Sequence, residues 1–313
     1  MRLPHGAGLT AIRKVRAIVN PGGGSLAGAS GDPADRIARA FADQGVEADV
    51  RTTSDLAAAF AEAATAEGID AVVAGGGDGT VSAAAGALAG TRRPLGVLPL
   101  GTLNHLARDA GIPLDLDRAA ATIAAGHVRA IDAAEVNGRL FVNNSAVGLY
   151  PRLVRDREAQ QEELGRGKRL AMLAASLRAL RHFGRHRLTI RIGGRAAPVK
   201  TPLLFVGNNS YETGLIRLGR RAALDEGGLC LFAPLVRSRL HFLGLGLRSV
   251  IGLSKQRDFI GLFGIGELVV ESPRPLLSVA LDGEVARMET PLRYRIRPAA
   301  LKLIVPDPGS DAG

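Results

Sequence analysis

Residues 75–80 read GGGDGT and stand directly behind the apolar run 69–74. A glycine-rich turn entering a helix presents free backbone N–H groups and the positive end of the helix dipole, which together bind phosphate. Gly75, Gly76 and Gly77 let the backbone come close to such a ligand, and Thr80 offers a hydroxyl donor. A tight turn of positive φ needs only one glycine. Three in a row, with a second loop at Gly101-Thr102, favour a phosphate cradle over a bare turn. An acid inside an anion cradle calls for a cation between the two charges. Asp78 is therefore expected to face Mg²⁺, which keeps its waters and takes one or two carboxylates. Such parts suit phosphoryl transfer, where positioning and charge neutralisation matter more than covalent chemistry.

The elements around these loops alternate. KVRAIV at 14–19 reads as a strand ending in NPGGGS, and residues 33–44 have helical spacing with Ile37, Ala40 and Phe41 on one face. VEADV is strand-like, 55–67 is an alanine-rich helix stopped at Gly68, and IDAVVA is a buried strand entering GGGDGT. TVSAAAGALAG reads as a helix, LGVLPL as a strand, GTLNHLARDAG as a loop with a short helix, and DLDRAAATIAAG as a further helix. Repeated βα units imply a mostly parallel sheet covered on both faces, with ligands at the carboxyl ends of its strands. NPGGGS, GGGDGT and PLGTLN would then gather on one edge.

Near residue 130 the pattern changes. IDAAEV, RLFVNNSAVG, HRLTIRI, PLLFVGN, GLCLFAP, ELVVES and LLSVALDGE read as short strands, with helical segments near 166–183 and 238–254, and YRIRP and LKLIVP end the ordered chain. The expected organisation is an α/β domain over 1–130, a β-rich domain over 131–290, a strand within 291–306 that returns to the first domain, and a disordered tail at 307–313.

Common nucleotide signatures do not fit. There is no GxxxxGK[ST] string, NPGGGS is not a dinucleotide fingerprint, and the protein-kinase elements HRD and DFG are missing. Instead GGGDGT, with NPGGGS before it and PLGTLN and LDGE after it, resembles the diacylglycerol kinase catalytic family, which includes bacterial soluble lipid kinases and sphingosine kinases. That family is distantly related to NAD kinases and phosphofructokinases. The four motifs keep the family's order from residue 20 to 284. The resemblance implies an NAD-kinase/phosphofructokinase-like α/β domain, a mainly antiparallel β-sandwich domain, ATP bound between them, and phosphoryl transfer to a lipid hydroxyl.

The resemblance also assigns residues. Asn20, Pro21 and Gly22 match the first nucleotide loop, Thr53 (less closely Thr52) an ATP contact, and Gly75, Gly76, Gly77, Asp78, Gly79 and Thr80 the phosphate loop. Gly101, Thr102 and Asn104 match a second nucleotide loop. Asp132 matches an acid of a magnesium and water network, and Glu284 matches the general base, with Asp282 beside it as the other carboxylate in reach. Asp-Gly alone would read as a hairpin turn. AALDEGGL resembles the family's structural metal site, with Ala223, Glu226 and Gly228 at the ligand positions. The family writes Asp where Glu226 stands, so a cation site and a plain polar turn both stay open. His105 occupies a position where much of the family has Asp, and it is given no catalytic role.

Composition bounds the partners. The 313 residues suggest about two domains, and hydrophobic content of 46% with 22% charged marks a globular chain. The net charge of +10 favours anionic partners, yet Trp is absent and aromatics are 4%, so stacking platforms for nucleic acid are poorly supplied and none is expected as a partner. The single cysteine, Cys230, excludes an intrachain disulfide and reads as a buried strand residue. MRLPHGAGLTAIRK lacks an apolar signal region, and no stretch of about 18 apolar residues spans a bilayer. The expected location is cytoplasmic, with peripheral contact at the inner face of the cell membrane. Leu170, Leu173, Leu177 and Leu180 form an apolar stripe flanked by Arg166, Lys168, Arg169, Arg178, Arg181, Arg185 and Arg187. Such a helix lies on an anionic leaflet or packs on a core with its basic face in water. RSRLHFLGLGLRSVIGLSKQR has similar chemistry. The reading is a kinase using ATP and Mg²⁺ on a lipid such as diacylglycerol. A kinase for a soluble acceptor such as NAD, or a non-catalytic nucleotide- or lipid-binding regulator, stands as the alternative, and a homodimer stays open.

Overall fold

The structure is a computed structural model that describes residues 12–22, 32–148, 184–211, 221, 223–236, 238, 241 and 259–307. It divides into two compact units, residues 1–133 with 297–313, and residues 134–296.

The first unit is built on parallel strands β1 (Lys14–Val19), β2 (Glu47–Thr52), β3 (Ala71–Gly76) and β4 (Leu95–Pro99), ordered β2-β1-β3-β4. β3 and β4 are buried along their whole length, which requires their unbroken apolar sequences. Among the described residues five helices accompany them: α1 (Pro33–Ala42), α2 (Leu56–Thr65), α3 (Asp78–Leu88), α4 (His105–Asp109) and α5 (Leu116–Ala125). The sequence marks three of the starts. Asp32, Asp55 and Asp115 each accept a backbone N–H of the first turn of α1, α2 and α5, with Pro33 at the first position of α1. Gly126 closes α5 in the left-handed conformation.

The chain leaves β1 toward β2 on one side and resumes at β3 on the other, so β1 and β3 flank a topological switch point. Register places Val19 beside both Thr52 and Gly75, Gly75 beside Leu98, and Gly76 beside Pro99. The loops after β1, β2, β3 and β4 thus leave the same edge of the sheet, as the alternating pattern implied.

The second unit is mainly antiparallel. Its chain enters by β5 (Val128–Val136) and continues through β6 (Arg139–Phe141), β7 (Asn144–Gly148), β8 (His186–Ile192), β9 (Arg195–Thr201), β10 (Leu203–Asn208), β11 (Leu229–Pro234), β12 (Phe259–Ile265), β13 (Glu267–Glu271), β14 (Leu276–Leu281) and β15 (Glu284–Glu289). β16 (Leu292–Ile304) then carries the chain back, and its Leu303 pairs in parallel with Leu95 of β4. One sheet of this unit runs β12-β11-β10-β7-β14-β15, and beside it run β16-β13-β8-β9. Phe141, Leu188, Ile190, Val206, Leu231, Val279, Leu292 and Tyr294 share one buried core, drawn from both sets of strands. Across that core the Tyr294 hydroxyl meets Ser145 Oγ at 3.0 Å. β9, last in its order among the described residues, carries Pro198 together with Arg195 and Lys200.

The basic apolar segments around 166–183 and 242–257 lie outside the described residues, as do 308–313 of the tail. Among the described residues no helix is long and apolar enough to cross a membrane.

Candidate active site

GGGDGT folds as strand, turn and helix in six residues. Gly75 and Gly76 complete β3 and are not part of the turn, while Asp78 already opens α3. Packing explains the first two glycines. A Cβ on Gly75 would sit 3.1 Å from Val19 Cγ2, and one on Gly76 would sit 2.3 Å from Thr80 Oγ1. Gly77 differs. Its φ of −90° and ψ of −168° suit any residue, and an added Cβ would meet only Gly101 Cα, at 3.4 Å, among the described residues. The backbone conformation does not demand a glycine there, and a Cβ would make ordinary van der Waals contact with the neighbouring loop at Gly101. Gly77 is also the N-cap of α3 and supplies no side-chain cap. The first intrahelical bond is Val81 N to Gly77 O at 3.1 Å, so the preceding N–H groups of this turn have no intrahelical acceptor.

Asp78 is half-buried in that first turn, and its Oδ1 accepts the His105 backbone N–H at 2.7 Å. It thereby ties the start of α4 to the start of α3. Thr80 is buried, with its Oγ1 3.4 Å from Asn20 Nδ2. Asn20 in turn accepts Gly22 N at Oδ1 (3.0 Å) and donates its own N–H to Gly75 O (3.0 Å), joining the first loop to the phosphate loop. Pro21 and Gly22 are exposed. Thr53 N bonds Val19 O at 3.0 Å, and Thr53 Oγ1 accepts Asp55 N at 3.0 Å just before α2.

The PLGTLN loop is held from within. Asn104, at φ 51°, takes the left-handed conformation that asparagine tolerates. Its Nδ2 donates to Pro99 O (3.0 Å) and Gly101 O (2.7 Å), and its Oδ1 accepts Gly101 N (3.0 Å). The side chain shapes the loop, while Thr102 is exposed. Gly101 is required by packing, since a Cβ there would sit 2.3 Å from Gly77 Cα. Asp132 lies in the part of β5 that belongs to the first unit, is buried, and accepts Ala299 N at 2.8 Å where β16 takes a positive φ of 49°.

In the second unit, LDGE forms the two-residue turn between β14 and β15. Asp282 (φ 47°) and Gly283 (φ 95°) are both left-handed, the combination that Asp-Gly supports in a tight hairpin. Glu284 is exposed at the first position of β15. Asp282 is only 7% exposed and its carboxylate accepts three backbone N–H groups: Val142 at 2.8 Å, Asn143 at 2.8 Å and Asn144 at 3.0 Å. A carboxylate so held is a backbone anchor. Nothing in the local sequence announces this, because the donors lie about 140 positions upstream. Asn143, Asn208, Tyr211 and Arg221 crowd the same backbone and were likewise unmarked by any motif.

The turn resembling a metal site is closed by the chain's own bonds. Glu226 Oε2 accepts Ser210 N at 2.9 Å, and Gly228 O accepts Asn209 N at 3.0 Å, while Ala223 precedes the turn. Two of the oxygens at the ligand positions each accept one backbone N–H, which shapes the turn. Among the described residues no group of three His, Cys, Asp or Glu side chains could hold a metal. Cys230 is buried beside Gly207 and Tyr211, and burial pushes its thiol up to about 11, which keeps it protonated and unreactive at neutral pH.

Comparison with known proteins gives the same reading. The family model described as "Diacylglycerol kinase catalytic domain" matches residues 14–136. The "Probable lipid kinase YegS-like" of Pseudomonas syringae pv. tomato is 31% identical over 277 residues, spanning 84% of this chain and 85% of that protein. Its namesake in Citrobacter koseri is 40% identical over 127 residues, which span 39% of this chain and 42% of that protein. The crystal structure of a diacylglycerol kinase from Bacillus anthracis str. Sterne superposes with a TM-score of 0.67 at 21% identity, covering 96% of this chain and 99% of that one. Yeast NADH kinase, complexed with NADH, gives 0.52 at 12% identity over 95% and 84%. These two likenesses are likenesses of fold. With the glycine cradle at the switch point and a relative similar along most of its length, the chain belongs to the diacylglycerol kinase catalytic family, in its YegS-like lipid kinase branch.

Proposed function

We propose that the chain is an ATP-dependent lipid kinase that transfers the γ-phosphate to a lipid hydroxyl, with diacylglycerol as the acceptor class. The observation that carries this reading is the α3 N-terminus at Gly77, which has no side-chain cap and where an added Cβ would meet nothing nearer than Gly101 Cα at 3.4 Å, with a carboxylate at the first helical position. Phosphates seated there would meet the free N–H groups of Asp78, Gly79 and Thr80 and the positive end of the α3 dipole. The edge formed by Asn20, Pro21, Gly22, Thr53, Gly101 and Thr102 would receive the rest of the nucleotide. Asp78, with Asp132, would hold Mg²⁺ together with the phosphates, and that ion neutralises charge on the transferring group. Both carboxylates also fix backbone, at His105 and Ala299.

Glu284 takes the proton of the acceptor hydroxyl as general base. Asp282 is unsuited to that task, since both its oxygens are accepting backbone N–H groups. The second unit, read as a β-sandwich, carries the acceptor, and the basic apolar segments supply contact with an anionic leaflet.

The test is transfer of labelled phosphate from ATP to a lipid extract, with NAD and other soluble acceptors in parallel and the product identified. Label in diacylglycerol or another lipid alcohol is expected. Label in NAD alone would make this a soluble-acceptor kinase. No transfer from bound ATP to any acceptor would leave a nucleotide-binding regulator.

A further inference from the structure

The buried polar cluster of the second unit converges on one short piece of backbone, Val142–Asn143–Asn144. Its N–H groups all point to Asp282. Its carbonyls are taken from other directions. Val142 O accepts Arg221 Nη1 (2.5 Å) and Asn208 Nδ2 (2.8 Å). Asn143 O accepts the Tyr211 hydroxyl (2.9 Å) and Asn208 N (3.0 Å), and Asn143 Oδ1 accepts Arg221 Nη2 (3.0 Å).

The peptide unit between Val142 and Asn143 therefore has a guanidinium on its oxygen and a carboxylate on its hydrogen. Arg221 and Asp282 are both buried, at 8% and 7% exposure. A buried charge is costly unless compensated, and each of these polarises the shared peptide in the sense that strengthens the other's bond. The turn beyond it is fixed as well: Asp282 N donates to Asn144 O at 2.9 Å, and Leu281 pairs with both Ser145 and Glu284. Glu284 is thus two residues from a carboxylate locked to this backbone.

We propose that Arg221 is a positioning residue for Glu284: Arg221 and Asp282 grip the Val142–Asn144 backbone from its two sides, and the turn that starts β15 takes its place from that grip. The inference rests on the reading of Glu284 as the base. A general base must lie within hydrogen-bond reach of its proton, and a misplacement near 1 Å costs about 100-fold.

The test compares wild type with Arg221→Met, Arg221→Lys, Asp282→Asn and the Arg221→Met/Asp282→Asn double variant. Phosphate transfer to lipid, ATP affinity by calorimetry and amide hydrogen exchange are measured on each. Arg221→Met is expected to lose about 100-fold in kcat with KM and ATP affinity unchanged, and Arg221→Lys to recover part of it. The double variant should lose little more than the worse single one, because the two residues act through one peptide. Exchange at Asn143 should quicken in Arg221→Met although the arginine bonds Val142 O, on the carbonyl side of that peptide. Wild-type kcat in Arg221→Met, or single losses that multiply in the double variant, would overturn the proposal. Should the arginine variants not fold, Tyr211→Phe removes one hydroxyl bond from Asn143 O, and exchange at Asn144 must then quicken; unchanged exchange overturns the grip. A wild-type protein that phosphorylates no lipid refutes the kinase reading instead, and amide exchange still decides the grip.

Discussion

The chain uses the pair Asp-Gly twice in its motifs, and the two uses are opposite. At Asp78-Gly79 the acid opens a helix, is half-buried, and gives one oxygen to the His105 N–H. The surrounding N–H groups of the α3 turn have no intrahelical acceptor. At Asp282-Gly283 the acid closes a hairpin, is buried, and collects three N–H groups from a distant strand. One loop leaves donors open and the other consumes them. The difference separates a place where a ligand can supply the missing acceptors from a place where the protein has supplied them itself. The same dipeptide thus meets two different backbone settings.

Substitutions can break or sharpen this contrast. The largest effect is expected next to the closed turn. Glu284→Gln keeps size and hydrogen bonding but cannot accept a proton, so kcat should fall by about 10²–10⁴-fold while ATP and Mg²⁺ binding persist. A near-normal kcat would show that a phosphate oxygen takes the proton. Next comes the open loop. Gly77→Val should abolish ATP binding in calorimetry with the fold intact, since φ is ordinary and the nearest atom stands 3.4 Å from the new Cβ. Wild-type affinity in the folded variant would put the phosphates elsewhere. Gly101→Ala, in the loop packed against Gly77, should instead cost about 1–3 kcal/mol in denaturant unfolding because its Cβ would overlap Gly77 Cα.

Asp282→Asn should destabilise by about 1–3 kcal/mol, as an amide N–H is forced to face a backbone N–H. Asp78→Asn is the smallest on stability, within about 0.5 kcal/mol, because its Oδ1 can still accept from His105. Its cost should appear in the Mg²⁺ concentration needed for half-maximal rate. An equal rise in that concentration for Glu284→Gln would make Glu284 a metal ligand and erase the contrast.

Much of the first unit could be read directly. Apolar runs followed by glycine loops fix strand ends, and register then brings those ends to one edge. The role of each glycine could not be read. Gly75 and Gly76 answer to Val19 and Thr80, neighbours set by sheet and helix packing, whereas a Cβ on Gly77 would make no contact closer than 3.4 Å, to Gly101 Cα. The second unit was less legible. β9, β12 and β15 escaped notice because Pro198, the glycines of FIGLFGI and the mixed polarity of EVARME each blur the alternation that marks a strand. YRIRP and LKLIVP lie in one strand, β16, which takes a positive φ at Ala299. Asp282 and Arg221 reach partners roughly 80 to 140 positions away, a distance over which spacing carries no signal.

Pro198 has a consequence for how the protein behaves in company. A sheet margin with a full row of N–H and C=O groups recruits further strands and seeds aggregates. Along β9 that row is interrupted by a residue with no N–H, and Arg195 and Lys200 set positive charge on either side of it. With β9 last in its order among the described residues, copies of the chain meeting along it would encounter a missing bond and like charges, which disfavours pairing of this strand with itself.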